Sequence, residues 1–75
     1  MSSAPARHII RGLYAVTPDR SVTHELIEQV RAAIEGGVRL VQYRNKAASH
    51  ALHLEQAKAL KALCAPRAVA LIVND

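Results

Sequence analysis

Glu35-Gly36-Gly37-Val38-Arg39-Leu40-Val41-Gln42-Tyr43-Arg44-Asn45-Lys46 decides the fold, because within this stretch a helix stops and a strand begins. Paired glycines at the end of an amphipathic run act as a C-terminal cap. From Val38 to Arg44 the side chains alternate: Val41 and Tyr43 point one way, Leu40, Gln42 and Arg44 the other. Upstream, Leu26, Ile27, Val30 and Ile34 share one helical face, opposite Glu25, Glu28, Arg31 and Glu35. A helix over about Thr23 to Glu35 therefore feeds the glycines. Because Gly36-Gly37 follows a helix instead of joining a strand to one, it is a cap and not a dinucleotide loop.

Further out, Leu13-Tyr14-Ala15-Val16 is a short apolar strand closed by the turn residues Thr17-Pro18-Asp19. On the other side, Ser49 can cap a second helix running to Ala65, where Pro66 ends it. Leu52, Ala57, Leu60, Leu63 and Cys64 form its apolar face. Val69 to Val73 is a third strand, almost continuously apolar, as expected when both faces are covered. The order is β-α-β-α-β, an α/β class in which crossovers of this length make successive strands parallel. Its two plausible parents are a doubly wound open sheet and a (β/α)8 barrel.

Composition agrees. Apolar residues make up 51% of the 75, yet there is no Phe or Trp and only two Tyr, so the core is aliphatic. Such a core suits helices packed on a parallel sheet. Cys64 is the single cysteine, which excludes an internal disulfide and a zinc set; its apolar neighbours predict a buried structural thiol. His8, His24, His50 and His53 lack the carboxylate or cysteine spacing of a metal site and read as surface or helix-flank residues. The net charge of +4 comes from scattered Arg and Lys without interleaved aromatics, so no nucleic-acid partner is expected. Residues 1–11 form a small, polar, basic stretch, expected as a flexible tail. Its longest apolar run, Ile9-Ile10, is too short for a signal core or a membrane span, so the chain reads as soluble and cytoplasmic.

Parallel α/β proteins bind ligands at the carboxyl ends of their strands. Gln42, Arg44 and Lys46 stand at that end of the second strand, Asn74 and Asp75 at that end of the third. Arg44 offers a planar fork for phosphate, Lys46 a mobile charge, Gln42 both a donor and an acceptor for a heterocycle. Asn74 can donate to a phosphate oxygen. Asp75 beside a pyrophosphate needs a cation between them, and magnesium held by a carboxylate and substrate phosphates meets that need. Read alone, the first run is equally a solvated strand end and Asn74-Asp75 a turn; spacing leaves both readings open.

Leu13 to Thr17, Glu35 to Lys46 and Leu71 to Asp75, in this order and spacing, resemble the start of the thiamine-phosphate synthase family. The resemblance covers nearly the whole chain from Leu13 onward. It implies a (β/α)8 TIM barrel that condenses hydroxymethylpyrimidine pyrophosphate with thiazole phosphate, giving thiamine phosphate and pyrophosphate. Carried over by position, it assigns Gln42, Arg44, Lys46 and Asn74 to the pyrimidine pyrophosphate and Asp75 to Mg²⁺, with no catalytic nucleophile. The thiazole tautomerases share the barrel but do not typically keep Gln-x-Arg-x-Lys together with Asn-Asp. A non-catalytic βαβαβ module that binds an anion is the other alternative.

On this reading residues 12–75 are an incomplete barrel of three strands and two helices, since a whole one takes about 200–250 residues. Three strands leave a sheet with an exposed edge and an uncovered inner face. The family's second metal-binding Asp, its later Lys and its glycine-rich phosphate loops have no counterpart here. The 75-residue chain on its own is accordingly expected to be inactive and poorly folded.

Overall fold

The computed structural model describes residues 14–74. The tail expected at 1–11, with His8, Leu13 and Asp75, lies outside the described residues. The elements are β1 (Tyr14–Val16), α1 (Thr23–Glu35), β2 (Leu40–Tyr43), α2 (His50–Cys64) with a 3₁₀ turn at Ala65–Arg67, and β3 (Ala70–Val73). The strands form one parallel sheet in the order β1-β2-β3.

Helix α1 matches the predicted span, and Leu26, Val30, Ala33 and Ile34 are its buried side. Its end is a Schellman motif: Gly37 N–H donates to the Ile34 carbonyl at 3.0 Å and Val38 N–H to the Ala33 carbonyl at 3.1 Å. Gly37 carries the left-handed turn, with φ of 113°, a conformation in which a side chain is strained. The motif also explains why β2 is shorter than the alternating run. Val38 gives its N–H to the helix cap, so the strand begins at Leu40.

Helix α2 starts where Ser49 Oγ accepts from Leu52 N–H at 3.1 Å. We predict that Ser49→Ala costs about 1 kcal/mol of stability, the usual worth of an N-cap, read as a lower urea midpoint. A loss below about 0.3 kcal/mol would show that this cap is not needed. At the other end the α-helix stops at Cys64, one residue before the predicted boundary. Pro66 cannot donate the next helical hydrogen bond, and the chain leaves through a 3₁₀ turn with Ala68 left-handed at φ of 57°.

Both helices pack on one face of the sheet. Ala15, Val41 and Leu71 stand abreast in the register, and they join Leu26, Val30, Ile34, Leu60, Leu63 and Cys64 in a single core. Cys64 is 1% exposed, as expected for a structural thiol. Burial pushes its thiol up from the ordinary range, with Arg67 pulling weakly the other way. The opposite face carries Tyr14, Val16, Leu40, Gln42 and Ile72 and has no layer over it among the described residues. Among the described residues the cover on both faces suggested by the apolar run of β3 is not met, and β3 is the exposed edge that three strands predict, with Ile72 48% and Val73 47% exposed. Among the described residues, no helix is long and apolar enough to cross a membrane.

Candidate functional site

The polar residues gather where the parallel strands end. β2 is central, and both neighbouring chains are pinned to it just past their last paired residues. Thr17 N–H donates to the Gln42 carbonyl at 3.0 Å, and Asn74 N–H to the Tyr43 carbonyl at 2.8 Å. Thr17 Oγ1 accepts from Arg44 N–H at 3.0 Å, continuing the ladder with a side chain.

Among the sequence-predicted residues, Gln42 is half-buried on the open face, where the Tyr14 hydroxyl donates to its Oε1. Arg44 is exposed one residue beyond β2, and its guanidinium has no partner among the described residues. Since Tyr43 pairs with Val73, Arg44 and Asn74 come next on adjacent strands, and by alternation they share the face of Gln42. Lys46 is exposed in the following turn, its backbone N–H 3.4 Å from Asp19 Oδ1. Gln42, Arg44, Lys46 and Asn74 thus come from two strand ends to one rim. Asp75 lies outside the described residues.

Beneath that rim is a buried amide network that sequence reasoning missed. Gln56 of α2 is 0% exposed and Asn45 5%. Gln56 Oε1 accepts from the Tyr43 hydroxyl at 2.6 Å and from Asn45 Nδ2 at 3.0 Å. Gln56 Nε2 and Asn45 Nδ2 both donate to the Arg20 carbonyl, each at 2.8 Å. Asn45 Oδ1 accepts from Ala47 N–H at 3.2 Å. Every amide atom is satisfied, as burial requires. A signal existed in the sequence: Gln56 interrupts the i,i+4 ladder Leu52-Gln56-Leu60-Cys64, whose other members are apolar.

Burial pushes the Tyr43 phenol up from its ordinary value, Asn45 pulls it down and the Asp19 charge pushes it up. It stays a neutral donor to Gln56. The His53 ring lies tilted by 44° against the Tyr43 ring at 5.0 Å between centroids, and its Nε2 is 3.4 Å from the Asn74 carbonyl. His53 therefore flanks the rim. A cavity of about 210 Å³, lined by Asp19, Arg20, Ser21, Asn45, Ala48 and Leu52, lies between the loops that follow β1 and β2. Among the described residues no three of His, Cys, Asp or Glu come together to hold a metal.

Comparison with known proteins decides the family. The family model described as thiamine monophosphate synthase matches residues 13–75. The chain belongs to that family. Over 74 residues it is 49% identical to a protein named thiamine-phosphate synthase from Nitrosospira multiformis, covering 99% of this chain and 31% of the relative. A protein of the same name from a Janthinobacterium species is 50% identical over 66 residues, covering 88% of this chain and 32% of the relative. A third, from Xylella fastidiosa, is 48% identical over 65 residues, covering 87% and 27%. The chain thus spans about a third of the length of the thiamine-phosphate synthases it matches. No solved structure matches it significantly.

Proposed function

We propose that this chain carries the pyrimidine-diphosphate half of a thiamine phosphate synthase site, on the first three strands of a (β/α)8 barrel. The observation that carries the reading is the convergence of Gln42, Arg44, Lys46 and Asn74 on one rim of a chain from this family. A sheet with both helices on one face and a bare opposite face accords with a barrel wall whose interior is that bare face.

The substrates are hydroxymethylpyrimidine pyrophosphate and thiazole phosphate. The bond between the pyrimidine methylene carbon and the pyrophosphate oxygen breaks, and the electron pair leaves with pyrophosphate. The thiazole nitrogen then gives its lone pair to that carbon, forming the new C–N bond. Arg44 and Lys46 stabilise the negative charge that builds on the leaving group, and Asn74 donates to one of its oxygens. Gln42 orients the pyrimidine. With its Oε1 held by the Tyr14 hydroxyl, its Nε2 is left to serve as the donor. Asp75 would hold Mg²⁺, which supplies further charge neutralisation at the phosphates when bound. Holding two rings in contact while the leaving group departs requires no enzyme nucleophile.

The test is a chimera in which this chain replaces the matching third of the Nitrosospira multiformis protein. We expect it to form thiamine phosphate with equimolar pyrophosphate when both substrates and Mg²⁺ are present. A folded, soluble chimera without turnover would overturn the reading.

A further inference from the structure

We propose that Gln56, acting through Tyr43 and Asn45, is a positioning residue that aims Arg44 and Lys46 at the diphosphate; the proposal rests on the function given above. Gln56 is on α2, away from the ligand-facing side of the sheet, and touches no substrate group. Its bonds nevertheless converge on the short segment that carries the anion ligands. Through Oε1 it holds Tyr43, the residue before Arg44, and Asn45, the residue between Arg44 and Lys46. Through Nε2 it holds the Arg20 carbonyl, which Asn45 also grips, so the loop after β1 is tied to the same amide.

The orientation of this amide is forced. Two donors face Oε1 and a carbonyl faces Nε2, so a reversed amide would set N–H against N–H and oxygen against oxygen. Asn45 is fixed in the same way, with both its N–H groups and its oxygen engaged. With Tyr43 and Asn45 turned inward and held, Arg44 and Lys46 are left pointing outward. The geometry of the charged pair is therefore set from beneath by one helix residue.

Position 56 lies in an otherwise apolar ladder and is wholly buried, and its amide both satisfies the buried Tyr43 hydroxyl and Asn45 and sets their orientation. The polar choice suits a residue whose task is to fix a conformation, because a satisfied buried network admits one arrangement.

The experiment is steady-state kinetics on the chimera with Gln56→Met, Tyr43→Phe and Arg44→Ala, alongside urea unfolding of each. Methionine keeps the volume of glutamine but cannot hold the three partners. We expect Gln56→Met to raise KM for the pyrimidine diphosphate about tenfold and to lower kcat as well, because the misaimed charges also serve the leaving group, with KM for thiazole phosphate unchanged. Tyr43→Phe removes one donor of two and raises the same KM about threefold. A merely structural role would lower the unfolding midpoint and the active fraction without moving KM. The proposal is overturned if the folded variants keep the wild-type KM while Arg44→Ala raises it. Should Gln56→Met fail to fold, Tyr43→Phe decides alone. An Arg44→Ala chimera with unchanged kcat/KM would instead sink the assignment of the site itself.

Discussion

Arg44→Ala is expected to lower kcat/KM for the pyrimidine diphosphate by about 10- to 100-fold, the worth of one or two charge-assisted hydrogen bonds. The estimate rests on where Arg44 stands. It is exposed, it is unpartnered among the described residues, and it sits abreast of Asn74 at the end of the central strand. Among the described residues nothing pairs with its charge, so the substitution should leave the unfolding midpoint nearly unchanged. Arg44→Lys should recover only part of the loss, since an ammonium cannot supply the planar fork that grips two phosphate oxygens. Equal kcat/KM for Arg44→Ala and wild type would remove Arg44 from the site.

Leu60→Ala should have the largest effect on stability, about 2–5 kcal/mol, through lost transfer energy and the cavity left behind. Leu60 is 0% exposed and is packed in the core that joins both helices to the sheet. Leu54, on the same helix but 47% exposed, supplies the contrast, and Leu54→Ala should change stability by no more than about 0.5 kcal/mol. Urea unfolding of the two variants in the chimera checks both values. A Leu60→Ala loss no greater than that of Leu54→Ala would show that this cluster is not the structural core.

What the sequence disclosed and what it hid follow from the range of the interactions concerned. Helix α1, its glycine stop and the Ser49 cap depend on contacts within a few residues, and all three were legible. The facing of Val41 and Tyr43 against Gln42 followed from alternation alone. The roles of Thr17, Asn45 and Gln56 did not. Thr17 meets Arg44 across 27 positions and Gln56 meets the Arg20 carbonyl across 36, distances over which periodicity carries no information. The candidate site residues could be nominated because strand ends are where such folds bind. Their support was not, because it rests on a helix read as uniformly apolar on that face. The exposure of β3 was expected from the strand count, although its apolar run by itself pointed to cover on both faces. An apolar run reports what a strand is built to contact, not what lies beside it among these residues.

The register of β3 has a consequence for insertions and deletions. Side chains alternate along a strand, so a slip of one position exchanges its two faces. With Tyr43 opposite Val73, Asn74 comes to the open face beside Arg44. One residue deleted within β3 would move Asn74 into the place of Val73, opposite Tyr43, and turn it toward the helices. One residue added in the turn between Cys64 and Ala70 can be absorbed before pairing begins. The spacing from the first rung of β3 to Asn74 is therefore as constrained as the identity of Asn74, while the length of the preceding turn is free to drift.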